Sequence, residues 1–242
     1  MAPAQTLKWL ESGKGPAEQD VEIEGTEPYI VGGHTASGYW VDTHRAATLP
    51  GLFAAGDVAG GAPQKYVSGA MAEGKIAAES AADFCRSHTL PELAETELDY
   101  ERFFTNPKPL FTADALEEAM QKFMDEYAGG RGTSYEYSAA RLDIARQHIG
   151  QLAELAQQLH ADSMDDLLRI YELTDRLEVC TAVIAHLAAR HETRWPGFGI
   201  DQDYPNPDPA EEGYVNSRLV NGKLEILRRP LVREGDVYEH SH

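Results

Sequence analysis

The sequence predicts an α+β chain: a glycine-rich stretch of short strands with one small-residue helix, an antiparallel helical bundle, and a C-terminal extension with a β-hairpin. Three observations carry this reading. From Leu49 to Ser87 a short apolar run, a Gly-Asp turn, a glycine-rich loop and a helix rich in glycine and alanine follow one another. From Thr112 to Thr193 apolar residues recur at helical spacing. Near the end, Asn221-Gly222 separates two β-prone runs, the preferred two-residue turn of a hairpin. The boundaries expected are 1–88 for the first part, 89–111 for a linker, 112–195 for the bundle and 196–242 for the extension.

In the first part, Val21-Glu22-Ile23-Glu24 alternates as a half-buried strand does. Tyr29-Ile30-Val31 and Tyr39-Trp40-Val41 are aromatic and β-branched, with glycines between them. Leu52 to Ala55 reads as a short buried strand that ends in Gly56-Asp57. The helix that follows runs from about Lys65 to Ser87. It carries Gly69, Ala70, Ala72, Gly74, Ala77, Ala78, Ala81 and Ala82. A glycine inside a helix costs about 1 kcal/mol relative to alanine, and a close backbone approach is the compensation expected.

Thr89 to Pro109 contains three prolines and breaks at Asn106-Pro107-Lys108-Pro109. Thr112 or Asp114 can cap a helix that runs to Tyr127 and stops at Gly129-Gly130. A second helix is expected from Ser134 to about His160, and a third, capped by Asp162 or Ser163, to about Thr193. In the third, Leu167, Ile170, Tyr171, Leu173, Leu177, Cys180, Val183, Ile184 and Leu187 form the stripe expected to pack the bundle. Beyond a proline-rich stretch, Val215 to Val220 and Lys223 to Arg228 are the hairpin strands.

The formal charge of −19 argues against direct nucleic-acid binding, which needs a basic footprint. No apolar run reaches the roughly 18 residues of a membrane-spanning helix, and Met1 to Gly15 does not read as a signal peptide, so a cytoplasmic protein is expected. Cys85 and Cys180 are the only cysteines and no Cys-x-x-Cys occurs, so no metal site and no iron–sulfur cluster are expected in this chain.

The order of strand, acid, glycines and helix at Leu52–Ala70 is that of a flavin seat, and FAD is the cofactor expected. Asp57 is the candidate for the ribityl hydroxyls, since an ionised carboxylate accepts two of them. Gly56 gives the turn, and Ser68, Gly69, Ala70 and Met71 offer the N–H groups and positive end of a helix to the flavin ring. His34, on a loop after Gly32-Gly33, is the candidate for binding an oxyanion or moving a proton. Lys65 is the candidate for stabilising an oxyanion beside the flavin. Trp40 is assigned to the substrate pocket wall, with a core role as the alternative. Arg194 is expected to tie the bundle to the flavin part by an ion pair, with substrate binding as the alternative.

The residues Gly51-Leu52-Phe53-Ala54-Ala55-Gly56-Asp57 and Ala72-Glu73-Gly74-Lys75-Ile76-Ala77-Ala78 resemble the C-terminal flavin-binding part of the fumarate reductase/succinate dehydrogenase flavoprotein family. The bundle ending in His191-Glu192-Thr193-Arg194-Trp195 is similar to that family's C-terminal helical domain. Thr26 to His34, Lys65 to Gly69, Arg194-Trp195-Pro196-Gly197, Asp203-Tyr204-Pro205 and Val215-Asn216-Ser217 are similar to its adenylylsulfate reductase branch. The dicarboxylate members carry a histidine where Pro28 stands and an arginine where Lys65 stands.

The resemblance implies two-electron reduction of adenylylsulfate to sulfite and AMP, with electrons from an iron–sulfur beta subunit. It also implies a missing N-terminal half of the flavin domain, because no Gly-x-Gly-x-x-Gly opens a βαβ unit in this sequence. The chain alone is then expected to bind FAD weakly and to turn nothing over. A related reductase with another substrate and a non-catalytic helical assembly module are the alternatives.

Overall fold

The computed structural model describes residues 10–15, 38–60, 67–89, 100–194 and 199–231. The expected strands at Val21–Glu24 and Tyr29–Val31, and the candidates His34 and Lys65, lie outside the described residues.

Helix α1 (Val67–Ser87) follows the Gly56–Val58 turn, which is a single 3-10 turn. The short helix α2 (Glu101–Thr105) stands inside the expected linker and buries Phe103. The bundle is α3 (Ala113–Tyr127), α4 (Ala139–Ala156) and α5 (Met164–Ala189). Two-residue strands β1 (Glu136–Tyr137) and β2 (Ile200–Asp201) pair in parallel, and β3 (Tyr214–Val220) pairs antiparallel with β4 (Lys223–Arg229).

Each bundle helix begins where a side chain can satisfy its free N–H groups. Thr112 accepts from Ala115 N–H, Ser138 from Arg141 N–H, and Ser163 from Asp166 N–H. Asp165 and Asp166 add negative charge at the positive end of α5. The second helix therefore starts at Ala139 rather than Ser134. Residues 131–133 form a 3-10 turn, and Ser134 and Tyr135 adopt left-handed φ values of 54° and 65°. That reversal delivers Glu136-Tyr137 to β2 before the chain can enter a helix.

The core is shared by Phe103 of α2, Leu116 and Met120 of α3, Leu142, Ala145, Ile149 and Leu152 of α4, and Leu167, Ile170, Leu173, Leu177 and Ile184 of α5. Cys180 and Leu187 pack at its margin, while Tyr171 and Val183 of the expected stripe face outward. Both cysteines are free thiols. Among the described residues no helix is long and apolar enough to cross a membrane.

In residues 38–60 the expected strand Leu52–Ala55 is reduced to one antiparallel bridge, Phe53 to Ala46. Tyr39 bridges Ala59 in parallel and Val41 bridges Ala47 antiparallel. The buried cluster there is Val41, Ala54 and Ala59. The backbones come close enough that a Cβ on Gly38 would lie 2.5 Å from Gly60 N.

The extension is fastened at both ends of its path. His186 Nε2 of α5 lies 2.8 Å from Ser217 Oγ of β3. Arg228 of β4 bonds the Ala189 carbonyl at the end of α5 and pairs with Glu211 at 2.6 Å. Asp203 reaches back to accept the Ala139 N–H at 2.8 Å.

Candidate functional site

The strand–turn–helix arrangement places Gly56 against the first turns of α1. Gly56 is buried at φ +68°, and a Cβ there would stand 3.3 Å from the Ala70 methyl. Glycine is required on both counts, since the left-handed conformation disfavours a side chain and Ala70 leaves it little room. Asp57, the next residue, is exposed, as are Ser68 and Met71, while Gly69 and Ala70 are half-buried. An exposed carboxylate and the first turn of a 21-residue helix thus flank the Gly56–Ala70 contact. The small residues of α1 make the approach possible, as the glycine and alanine pattern implies.

Nearby stands a pair that the sequence reading passes over. Glu73 is on the side of α1 that also carries Ala70 and Ala77, and it is 5% exposed. Its Oε1 lies 3.4 Å from an Arg45 guanidinium nitrogen. Glu73 Oε2 and Arg45 Nε are buried without a hydrogen-bond partner among the described residues. Arg45 itself has φ +65°. Asp42 holds that strained turn, accepting the His44 and Ala46 N–H groups on Oδ1 at 2.8 and 2.9 Å. A buried acid facing a half-buried arginine, with buried polar atoms left unsatisfied, is costly, so the strain and the orphan atoms mark this as the least relaxed part of the turn region. The signal in the sequence is an acid interrupting a small-residue face.

Trp40 is half-buried, and the Arg229 guanidinium stacks over its ring, 3.8 Å from the centroid. Among the described residues, the ion pair of Arg194 is to Glu192. Its Nε and Nη2 donate to the two carboxylate oxygens of Glu192 at 2.9 and 2.7 Å, and Nη2 also donates to the Asp208 carbonyl at 3.0 Å.

Glu192 is the hub of that region, its side chain fully buried. It also accepts from Arg190 at 2.6 Å and from the Asp208 N–H at 2.9 Å. Burial alone would push its carboxyl up; the bonds from Arg194, the Asp208 N–H and Arg190 overcome this and hold it down at about 2.

No protein-family profile matches the chain. The adenylylsulfate reductase alpha subunit of Megalodesulfovibrio gigas is 29% identical over 95% of this chain. The solved adenylylsulfate reductase of Archaeoglobus fulgidus superposes with a TM-score of 0.81 at 28% identity over 99% of this chain. In sequence and in fold the chain is similar to adenylylsulfate reductase. It spans 41% of the length of that curated relative and 43% of the solved one. A solved adenosine-5-phosphosulfate reductase holding sulfite as a covalent adduct matches with a TM-score of 0.82 at 28% identity, over 100% of this chain and 44% of its own. The quinol fumarate reductase of E. coli, 16% identical with a TM-score of 0.69 over 84% of this chain and 37% of its own, shares the fold. The α+β arrangement of a flavin-side segment, helical bundle and hairpin extension is thus the C-terminal architecture of these reductases.

Proposed function

We propose that the chain is the C-terminal part of an FAD-dependent oxidoreductase subunit that reduces adenylylsulfate to sulfite and AMP. The observation that carries the reading is the Gly56–Asp57 turn seated on the first turns of α1, in a chain similar to the adenylylsulfate reductase alpha subunit. When bound, FAD supplies the two electrons that the reduction needs.

The residues of this chain do the positioning. Asp57 accepts hydrogen bonds from the ribityl hydroxyls and fixes the depth of the cofactor. The N–H groups of Ser68, Gly69, Ala70 and Met71 face the electron-rich edge of the ring, where a helix N-terminus favours negative charge. Glycine at 56 keeps the turn close enough to Ala70 for both to act on one cofactor. His34 and Lys65 bind the sulfur oxyanion, and His34 is the group placed to move a proton. Trp40 walls the pocket. Arg194 is given a structural role here, because its guanidinium is committed to Glu192 and Asp208.

The partners follow from the same reading. The nucleotide-binding half of the flavin domain covers the exposed Leu49, Val58, Val67 and Met71, which stand 52–76% exposed around the turn. An iron–sulfur subunit delivers the electrons, and the complex works in the cytoplasm.

The test supplies the nucleotide-binding half of the Megalodesulfovibrio gigas alpha subunit to this chain and measures FAD uptake and adenylylsulfate reduction. The chain alone is expected to be colourless and the reconstituted pair yellow and active. Asp57→Asn should weaken FAD binding about tenfold or more, the worth of one hydrogen bond to a charged acceptor. A reconstituted pair without flavin, or an Asp57→Asn variant of unchanged affinity, would overturn the assignment.

A further inference from the structure

We propose that Arg229 is a positioning residue for Trp40, so that the C-terminal hairpin sets one wall of the flavin-side pocket. This rests on the reading above for where Trp40 faces; the contact itself does not.

Arg229 ends β4 and lies opposite Tyr214 in the hairpin register. Tyr214 and Asn216, two residues apart on β3, share one face of the hairpin. Both engage Arg229: its guanidinium carbon is 5.0 Å from the Tyr214 ring centroid, and its Nε donates to Asn216 Oδ1 at 2.9 Å. The hydrogen bond restrains the guanidinium, whose central carbon lies 3.8 Å from the Trp40 ring centroid. A planar delocalised cation is suited to lie between two aromatic rings in a way a lysine ammonium is not.

Trp40 follows Tyr39, whose backbone is bonded to the end of the candidate turn. Tyr39 N–H donates to the Val58 carbonyl at 2.7 Å, and Gly60 N–H donates to the Tyr39 carbonyl at 2.8 Å. Val58 closes the 3-10 turn that contains Asp57. Arg229 of the hairpin therefore meets a residue whose chain neighbour, Tyr39, is hydrogen-bonded to the turn.

Residues other than Arg229 also attach the hairpin to the bundle. His186 holds Ser217, Arg228 holds Ala189 and Glu211, and Arg190 donates to the Gly213 carbonyl at 2.9 Å. Arg229→Ala can therefore be compared with a variant that loosens one of these other attachments.

The experiment uses the full 242-residue chain with Trp9→Phe and Trp195→Phe, which leaves Trp40 as the single tryptophan. Emission maximum and acrylamide quenching are compared for Arg229→Ala, Arg229→Lys and Ser217→Ala. Arg229→Ala should shift Trp40 emission to the red and raise its quenching. Arg229→Lys should restore part of the shift. Ser217→Ala, which loosens the hairpin elsewhere, should leave both unchanged. No shift in Arg229→Ala, or an equal shift in Ser217→Ala, overturns the proposal.

In the reconstituted flavin-loaded pair, Arg229→Ala should raise KM for adenylylsulfate about three- to tenfold at constant kcat, the loss of a stacked cation being felt in binding. A moved emission with an unmoved KM overturns the placing of Trp40 at the pocket and, with it, the hairpin's hold on the site.

Discussion

Residues 100–194 bury a continuous core from four helices, while residues 38–89 bury Val41, Ala47, Ala54, Ala59, Ala77 and the acid Glu73. The first region has an apolar interior and side-chain caps on its three long helices, and it leaves Leu110, Met164, Leu168 and Val179 more than half exposed. The second leaves Tyr39, Leu49, Val58, Val67 and Met71 more than half exposed. The difference is one of completeness. Both regions expose apolar side chains, so what separates them is the interior: the bundle encloses a large core of its own, whereas the residues around the glycine-rich turn bury only a small one. Function, on this reading, resides in the incomplete region, and stability in the complete one.

The sharpest way to break that comparison is to empty the bundle core. Leu173 is 1% exposed in the middle of α5. Leu173→Ala should cost about 2–5 kcal/mol, lost transfer energy plus the cavity left behind. Urea unfolding followed by far-ultraviolet circular dichroism will show it as a lowered midpoint. Val67→Ser, at an exposed position, should leave the midpoint within about 0.5 kcal/mol of the parent, as surface changes do. If Val67→Ser is the more damaging, the two regions are not divided in this way.

A smaller effect is expected at the joint between bundle and extension. Glu192→Gln keeps the shape and removes the charge that Arg190 and Arg194 share. The loss should be about 1.5–3 kcal/mol, the range for hydrogen bonds to charged groups. Faster amide exchange at Asp208, whose N–H bonds Glu192, would report it. The pH dependence has a definite sign. The folded carboxyl titrates at about 2 against an ordinary 4.5, so the contribution is complete above about 4.5 and fades as the pH falls toward 2. Glu192→Gln should therefore flatten the acid limb of the stability curve.

Legibility in the sequence divides along a similar line. The hairpin was readable because Asn221-Gly222 fixes its turn, and Thr112 and Ser163 announce α3 and α5 by local chemistry. The start of α4 was not, because Ser134 and Tyr135 take left-handed conformations within a reversal that Asp125 helps to hold, accepting the Gly132 N–H at 3.1 Å. Leu52–Ala55 reads as a strand by composition, but a strand needs neighbours, and among the described residues Phe53 meets Ala46 in a single bridge. At the candidate site, the contact of Gly56 with Ala70 was foreshadowed by small residues close in sequence. Glu73 with Arg45, and Arg229 with Trp40, are distant pairings with no local pattern behind them. The hairpin register does reveal Tyr214 opposite Arg229, yet nothing in it points to Trp40.

The smallest expected effect tests whether the extension is held by one joint or several. His186, in the last turn of α5, faces Ser217 of β3 and is half-buried. Burial pushes its imidazole below the ordinary 6.5, favouring the neutral form. The folded state then binds fewer protons than the unfolded state just below pH 6.5. The contribution is complete above 6.5 and is lost as the pH falls through the lowered folded value. His186→Gln, which cannot take up a proton, should remove that mildly acidic dependence while leaving the stability at pH 8 close to the parent's. The Glu192 limb lies at lower pH, so the two are separable in one titration. Loss of both limbs in either single variant would mean that the end of α5 and the hairpin are held by one coupled network, and the comparison should then be drawn between the flavin-side segment and everything that follows it.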